Sequence, residues 1–420
     1  MRIRTIRICV SFIIICQFLL FYRLYQNDQV KLDKPTTAAN ANEKEIRPLQ
    51  MLQSKRHEST TGPSLQIAVL MVACNRVAMN QSLAHLVEYR SKFPNGRLRF
   101  PIYVSQDCDD ANVLRLLHSY GNKITILNQP DHSETKFAHV KESMKGYYKI
   151  SRNYKWSLGQ MFDVRRYNLT LIVEDDLDVS PDFFDYFYAL APLLLEDKSL
   201  FCISAWNDNG KSSLIDLSRN DLLYRSDFFP GLGWMLTRRL WDEELRSIWP
   251  DAFWDEFLRS KTFRRGRACI RPEISRSHTF GRIGVSNGQF FDTHLRFNHL
   301  SNKPFVFNST LLRMTLKPEV YDAKFLSEVY DKSILLTSLD QLSKVKEIAP
   351  IEGSSCRYEY SSHEDFVAAA KYVGAMQDFK AGVARTAYLG VVPLFFNERR
   401  IYFAPKGSRG FRNDEYPDWK

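Results

Sequence analysis

The sequence predicts an α/β protein built on a mainly parallel sheet with helices on both faces. Three observations predict it. Short runs of solidly apolar residues recur along the chain, segments with helical spacing separate them, and polar clusters close the runs. A strand buried on both faces reads as a continuous hydrophobic run, and parallel neighbours need a crossover that a helix supplies.

The first run, residues 66–73 (QIAVLMVA), stops at Cys74-Asn75-Arg76. The second, residues 100–105 (FPIYVS), stops at Gln106-Asp107-Cys108, and the third, residues 123–127, ends before Asn128-Gln129-Pro130. Residues 147–162 place Tyr148, Trp156, Leu158 and Phe162 at helical spacing. The fourth run, Leu169-Thr170-Leu171-Ile172-Val173, leads directly into Glu174-Asp175-Asp176. A helix is expected next, with Ser180 as cap, Pro181 in the first turn, and Phe183, Phe184, Phe187 and Leu190 as its apolar face. A strand over residues 201–206 follows. Beyond about Asn308, residues 337–348 read as polar helix or loop, and residues 388–392 and 400–403 as short strands. The expected division is a catalytic unit over residues 64–310 and a smaller α+β unit over residues 311–420.

The N-terminus predicts a membrane anchor. Arg2, Arg4 and Arg7 precede an uncharged run from Ile8 to Tyr22, followed by Arg23. That run is shorter than the roughly 20 residues of a typical span, but flanking arginines snorkel and a thin bilayer suits it. No small-residue cleavage site follows Tyr22, which argues against a removed signal peptide. The expectation is a cytoplasmic tail over residues 1–7, a signal anchor over residues 8–25, and a lumenal chain in a Golgi membrane, single-pass type II. Residues 26–63 are rich in Lys, Glu, Asn, Thr and Gln and read as a flexible stem.

The net charge is +10, but residues 1–63 hold ten Lys/Arg against five Asp/Glu, so anchor and stem carry half the excess. What remains is too dilute for a phosphate-backbone footprint, and a nucleic-acid partner is not expected. The tightest basic group, Arg264, Arg265, Arg267 and Arg271, reads as a solvated loop. Of seven cysteines, Cys9 and Cys16 fall in the anchor; Cys74, Cys108, Cys202, Cys269 and Cys356 remain, and an oxidising lumen favours disulfides among them. Three sequons begin at Asn80, Asn168 and Asn308.

Ligands of open α/β sheets bind beyond the carboxyl ends of the strands. Three of the runs end there in Arg76, Asp107 and Glu174 to Asp176, so a guanidinium, a carboxylate and an acidic triplet are candidates for one crevice. A divalent cation would neutralise the triplet, which points to a metal-bound anionic substrate. A pair between Arg76 and Asp107, or a solvated acidic turn leading into the helix, is the plainer alternative. Gly231-Leu232-Gly233 lacks the third glycine of a dinucleotide fingerprint, and no Walker loop, HExxH or GxSxG occurs. A bound diphosphate would then need a metal instead of a glycine cradle.

The stretches Tyr147-Tyr148-Lys149-Ile150, Val173-Glu174-Asp175-Asp176-Leu177, Ser180-Pro181-Asp182-Phe183-Phe184, Ser204-Ala205-Trp206-Asn207-Asp208-Asn209-Gly210, FFPGLGW at residues 228–234 and RACIRPEIS at residues 267–275 resemble the family of alpha-1,3-mannosyl-glycoprotein 2-beta-N-acetylglucosaminyltransferases. The resemblance runs from about residue 66 to near the C-terminus. It implies the GT-A nucleotide-sugar transferase fold, and inverting transfer of N-acetylglucosamine from a UDP-N-acetylglucosamine donor, in beta-1,2 linkage, to a mannose of an oligomannose N-glycan on a glycoprotein acceptor. It further implies Asp176 as ligand of Mn2+ and Asp175 on donor sugar and ribose. Arg76 and Asp107 fall at the uridine, Ser286 beside the diphosphate in a mobile loop over residues 282–294, and Asp255 as general base. The family pairs Cys74 with Cys108 and Cys202 with Cys269, leaving Cys356 as an addition of this chain.

These roles suit the chemistry. Inversion needs one in-line attack, with a carboxylate taking the acceptor proton while the leaving diphosphate is stabilised on the opposite side. Asp255 lies in Phe253-Trp254-Asp255-Glu256-Phe257, where aromatic neighbours would desolvate it; among 48 acids only the resemblance singles it out, and Glu256 is its rival. Asn153 stands where the family has a donor-contacting histidine, and Asn287 replaces another beside Ser286. Read by itself, Asn153 would be an exposed helix residue. Competing classes are a protein O-mannose beta-1,2-N-acetylglucosaminyltransferase, a lumenal glycosidase and an inactive glycan-binding relative.

Overall fold

Strands β1 (Ala68–Ala73), β2 (Ile102–Gln106), β3 (Thr125–Asn128) and β4 (Leu169–Glu174) pair in parallel in the order β3-β2-β1-β4. The computed structural model describes residues 65–133, 140–411 and 416–417; the predicted anchor and stem lie outside them. Beyond β5 (Leu177–Val179), which leaves the sheet, β6 (Leu200–Ser204), β7 (Leu223–Ser226), β8 (Trp234–Thr237) and β9 (Ala268–Pro272) complete an eight-stranded sheet ordered β3-β2-β1-β4-β8-β6-β9-β7. β8 runs antiparallel between β4 and β6, and β7 antiparallel at the edge, so the sheet is parallel-rich rather than uniform.

Both faces are buried, as the solid apolar runs require. Val69 and Met71 of β1 join one apolar cluster with Leu83, Leu86 and Phe184, while Ala68 and Leu70 join another with Tyr154, Leu158 and Trp234. Successive side chains of one strand thus serve opposite layers. The helices Asn80–Lys92 and Ala111–Ser119 supply the crossovers among the first three strands.

Several expected elements shift. The helix read from residue 147 begins at Glu142, ends at Gly159 and runs into a π-helical turn over Gln160–Val164. β3 starts at Thr125 because Gly121–Lys123 forms a 3-10 turn. Ser180 does not cap its helix: its Oγ donates to Asp182 Oδ1 at 2.6 Å, and the helix spans Phe183–Glu196. Asp182 is 1% exposed and bound to Arg276, so the buried carboxylate claims the hydroxyl. Of the basic group, Arg265 is exposed in a turn as expected, but Arg264 and Arg271 are both 1% exposed and lie over the rings of Tyr416 and Tyr224.

After β4 the chain turns at Asp175-Asp176 into β5, which pairs antiparallel with β10 (Ser277–Thr279). Further along, β11 (Ile334–Leu336), β12 (Ser355–Tyr360), the two-residue pair β13 (Phe379–Lys380) and β14 (Val383–Ala384), β15 (Val392–Phe396) and β16 (Arg399–Pro405) follow. β11, β12, β16 and β15 form a four-stranded sheet against the helix His363–Val373. Residues 388–391 form a turn, with Tyr388 N–H donating to Val391 at 3.0 Å, and β15 starts only after it. Leu214 and Phe228 join the apolar cluster of this C-terminal sheet, and Phe325 and Tyr402 join that of the large one, so the cores are shared.

Candidate active site

The sheet order places a topological switch at β1 and β4, because the chain moves from β1 outward to β3 and then returns to β1's other side. Their carboxyl ends carry Arg76 and the acidic triplet. Arg76 Nε donates to Asp175 Oδ1 at 3.0 Å and Cys74 N–H to Asp175 Oδ2 at 3.2 Å, so one carboxylate clasps both strand ends. Arg76 Nη2 lies 3.7 Å from Asp176 Oδ2. The guanidinium is therefore engaged by the triplet, and the Arg76–Asp107 pair does not form.

Asp107 follows β2, where its N–H donates to the Ala73 carbonyl at 3.1 Å. Its Oδ1 is buried without a hydrogen-bond partner. Burial pushes its carboxyl up to about 6, against the pull of the Arg152, His132 and Lys149 charges. An aimed, unpaired acceptor of this kind suits a ligand N–H. Asn153 is 1% exposed, not on the outside of its helix, and its Oδ1 accepts from Ser105 Oγ at 2.6 Å. It is thereby held against β2 at Ser105.

The triplet is not a solvated turn. Glu174 accepts from Tyr154 Oη at 2.6 Å, and burial, with the Asp176 charge second, raises its carboxyl. Asp175 is also raised by burial, with Arg76 opposing. Asp176 is raised by burial and then by Asp175, and its Oδ1 is buried with no partner. Carboxylates desolvated this way carry an uncompensated electrostatic penalty that a cation relieves. Among the described residues no group of three His, Cys, Asp or Glu forms a metal cage. The unpaired, buried Asp176 Oδ1 fits a hard divalent cation.

The loop over residues 282–294 leaves β10 against this turn: Phe280 N–H donates to the Asp176 carbonyl at 3.0 Å, and Ile283 O accepts from Arg76 Nη2 at 2.8 Å. A Cβ on Gly281 would stand 1.7 Å from Asp176 Oδ2, so a hydrogen is the only side chain that fits. Val285 packs on the helix Glu142–Gly159, where a Cβ on Gly146 would meet its Cγ2 at 2.8 Å. Ser286 is exposed on the loop, followed by Asn287 at φ 51°.

Asp255 enters from the short helix Trp254–Arg259, behind Phe253 at φ 52°. That left-handed conformation is strained for an aromatic residue. The aromatic neighbours do not bury Asp255: Trp254 turns inward to stack on Tyr154 at 4.3 Å, leaving the Asp255 side chain 37% exposed. Arg259 Nη1 donates to Asp255 Oδ2 at 2.5 Å and reaches Glu256 Oε1 at 3.3 Å, while Lys380 Nζ holds the same Glu256 oxygen at 3.1 Å. Trp254 stacks on Tyr154, which donates to Glu174, so the helix carrying Asp255 is packed toward the acidic strand end. Cys74–Cys108 and Cys202–Cys269 are disulfides, and Cys356 is free and buried.

Sequence reasoning missed Tyr154, Arg259, Gly146 and Gly281. Only Gly281 left a signal, a glycine at the entrance of the loop. The others matter through partners far along the chain.

Fold and site together define an α/β protein whose parallel half-sheet gathers desolvated carboxylates, Arg76 and a loop at its switch point. A profile of the GNT-I family matches residues 22–415. The chain is 36% identical over 358 residues to alpha-1,3-mannosyl-glycoprotein 2-beta-N-acetylglucosaminyltransferase of Arabidopsis thaliana, covering 82% of this chain and 75% of that protein. It belongs to the GNT-I family. Among solved structures, Staphylococcus aureus TarS 1–349 superposes with TM-score 0.36 at 13% identity, covering 52% of this chain and 61% of that one. The same protein in complex with UDP-GlcNAc gives TM-score 0.35 at 13% identity, covering 53% and 61%. Likeness this loose transfers no residue role.

Proposed function

We propose that this chain is an inverting glycosyltransferase that moves N-acetylglucosamine from UDP-N-acetylglucosamine, in beta-1,2 linkage, to the alpha-1,3-arm mannose of an oligomannose N-glycan. The observation that carries the reading is membership of the GNT-I family together with the 36% identity to the plant transferase. The fold assigned to it is GT-A, with the donor at the ends of β1, β2 and β4. In this reading Asp107 and Arg76 grip the uridine, Asn153 contacts the donor where the family has a histidine, Asp175 orients the donor sugar and ribose, and Ser286 closes on the diphosphate side.

Asp176 would hold Mn2+, which when bound neutralises the diphosphate as a Lewis acid. Asp255 takes the proton from the acceptor hydroxyl as that oxygen bonds to C1 and the bond from C1 to the diphosphate breaks, inverting the centre. Arg259 fixes the carboxylate for that transfer, and Lys380 draws the rival Glu256 aside. Localisation as a type II Golgi membrane protein, with stem and anchor at the N-terminus, completes the proposal.

The test is transfer by the full-length chain onto defined N-glycan and O-mannosyl acceptors, with and without chelator. UDP release coupled to sugar transfer onto the N-glycan, lost with chelator and restored by Mn2+, is expected. Preference for the O-mannosyl acceptor, free sugar without UDP, or donor binding without transfer would each sink the reading.

A further inference from the structure

We infer that Asn308 carries an N-linked glycan, and that this glycan covers exposed apolar side chains along the groove that Asn308 lines. Asn308-Ser309-Thr310 opens the helix Ser309–Thr315, where Asn308 Oδ1 accepts the Leu311 N–H at 3.0 Å. Among the described residues nothing accepts from its amide nitrogen. The reactive atom is thus free while the carbonyl oxygen does the capping. Glycosylation uses Nδ2 and leaves Oδ1 an acceptor, so the modified residue still caps the helix.

The folded chain separates this sequon from the other two. Asn80 and Asn168 are exposed, but the hydroxyl residues of their triplets, Ser82 and Thr170, are 0% exposed. Thr310 is exposed, so Asn308 alone of the three still presents its triplet after folding. The assignment rests on the proposed lumenal location, with which the two disulfides agree and in which such triplets are modified.

Asn308 also lines a groove of about 770 Å³. Of its lining, Val306 is 42%, Leu311 55% and Val320 50% exposed, beside the charged Lys324 and Glu328. A clustered apolar patch on a protein surface marks something that covers it. A glycan rooted in the groove's own lining lays the C–H faces of its sugars on those side chains and turns its hydroxyls to water.

The reaction needs an oligosaccharide carried on a lipid diphosphate. Asn308 Nδ2 bonds to the sugar C1, the bond from C1 to the diphosphate oxygen breaks, the amide gives up one proton, and the lipid diphosphate departs. The test uses the full-length chain from a eukaryotic secretory host, treated with peptide N-glycosidase in heavy-oxygen water and mapped by mass spectrometry. Labelled Asp at position 308 is expected. Thr310→Ala, which keeps the cap, should lose the label and bind severalfold more of an apolar fluorescent dye, whereas Thr310→Ser should keep wild-type behaviour. Unmodified Asn308 in the wild-type chain overturns the assignment, and unchanged dye binding by Thr310→Ala overturns the covering role. Transferase activity of Thr310→Ala is expected to match wild type, so neither failure touches the catalytic reading.

Discussion

Asp107 and Asp255 are both carboxylates of the proposed site, yet their surroundings differ: one is buried with an unpaired oxygen and the other is partly exposed and paired. Burial raises Asp107 to about 6, so the folded chain holds that proton more tightly than the unfolded one does, whose carboxyl titrates near ~3.9. The sign follows: the contribution to stability is full at low pH and is lost as pH rises through about 6. Asp107→Asn should therefore gain on the order of a kcal/mol over wild type at about pH 7.5, and the gain should disappear near about pH 4. Urea melts of the two proteins check this; parallel pH profiles would count against it. UDP binding should weaken in the same variant. Asp255 is partly exposed and held by Arg259, which suits the proposed role of taking a proton from a hydroxyl arriving from solvent. Asp255→Asn should keep calorimetric donor binding and lose turnover by roughly 10²–10⁴-fold. Should it retain near-full activity, Glu256 becomes the base.

At the scale of elements, the site depends on how the loop leaving β10 meets the turn leaving β4. The Phe280 to Asp176 backbone bond joins them, and the hydrogen of Gly281 faces the Asp176 carboxylate. In Gly281→Ala the added methyl, 1.7 Å from Oδ2 by geometry, must push the carboxylate or the loop aside. Roughly a hundredfold loss of turnover follows from a displacement of that size, with the melting transition nearly unchanged because the contact lies at the rim of the core. Steady-state kinetics beside a thermal melt separate the two effects, and wild-type kinetics would show that Gly281 is dispensable. Ser180 teaches the same lesson about elements. Its position suits a cap, but a buried carboxylate two residues on takes the hydroxyl first.

At the scale of the whole molecule, two disulfides do different work. Cys202 and Cys269 are opposed in register on β6 and β9 and both 0% exposed, so Cys202→Ala with Cys269→Ala should lower stability by about 2–4 kcal/mol without shifting donor affinity. Cys74 and Cys108 tie the ends of β1 and β2, and the Cys74 N–H holds Asp175. Removing that pair should weaken UDP-N-acetylglucosamine binding as well as stability; equal affinities for the two double variants would contradict the assignment. Much of this was legible in the sequence. Solid apolar runs determined the buried strands, the acids after Val173 marked the strand end, and the quoted motifs carried family and disulfide pairs, because periodicity and motif are properties of neighbours along the chain. The tertiary structure alone decided that Arg76 clasps Asp175 rather than Asp107, that Asn153 is inside, that Arg264 and Arg271 are buried, and that Lys380 takes Glu256. The partners in the Arg76 to Asp175 bond are 99 residues apart, and desolvation is set by whatever packs against a group, so neither can be read from a local stretch of residues.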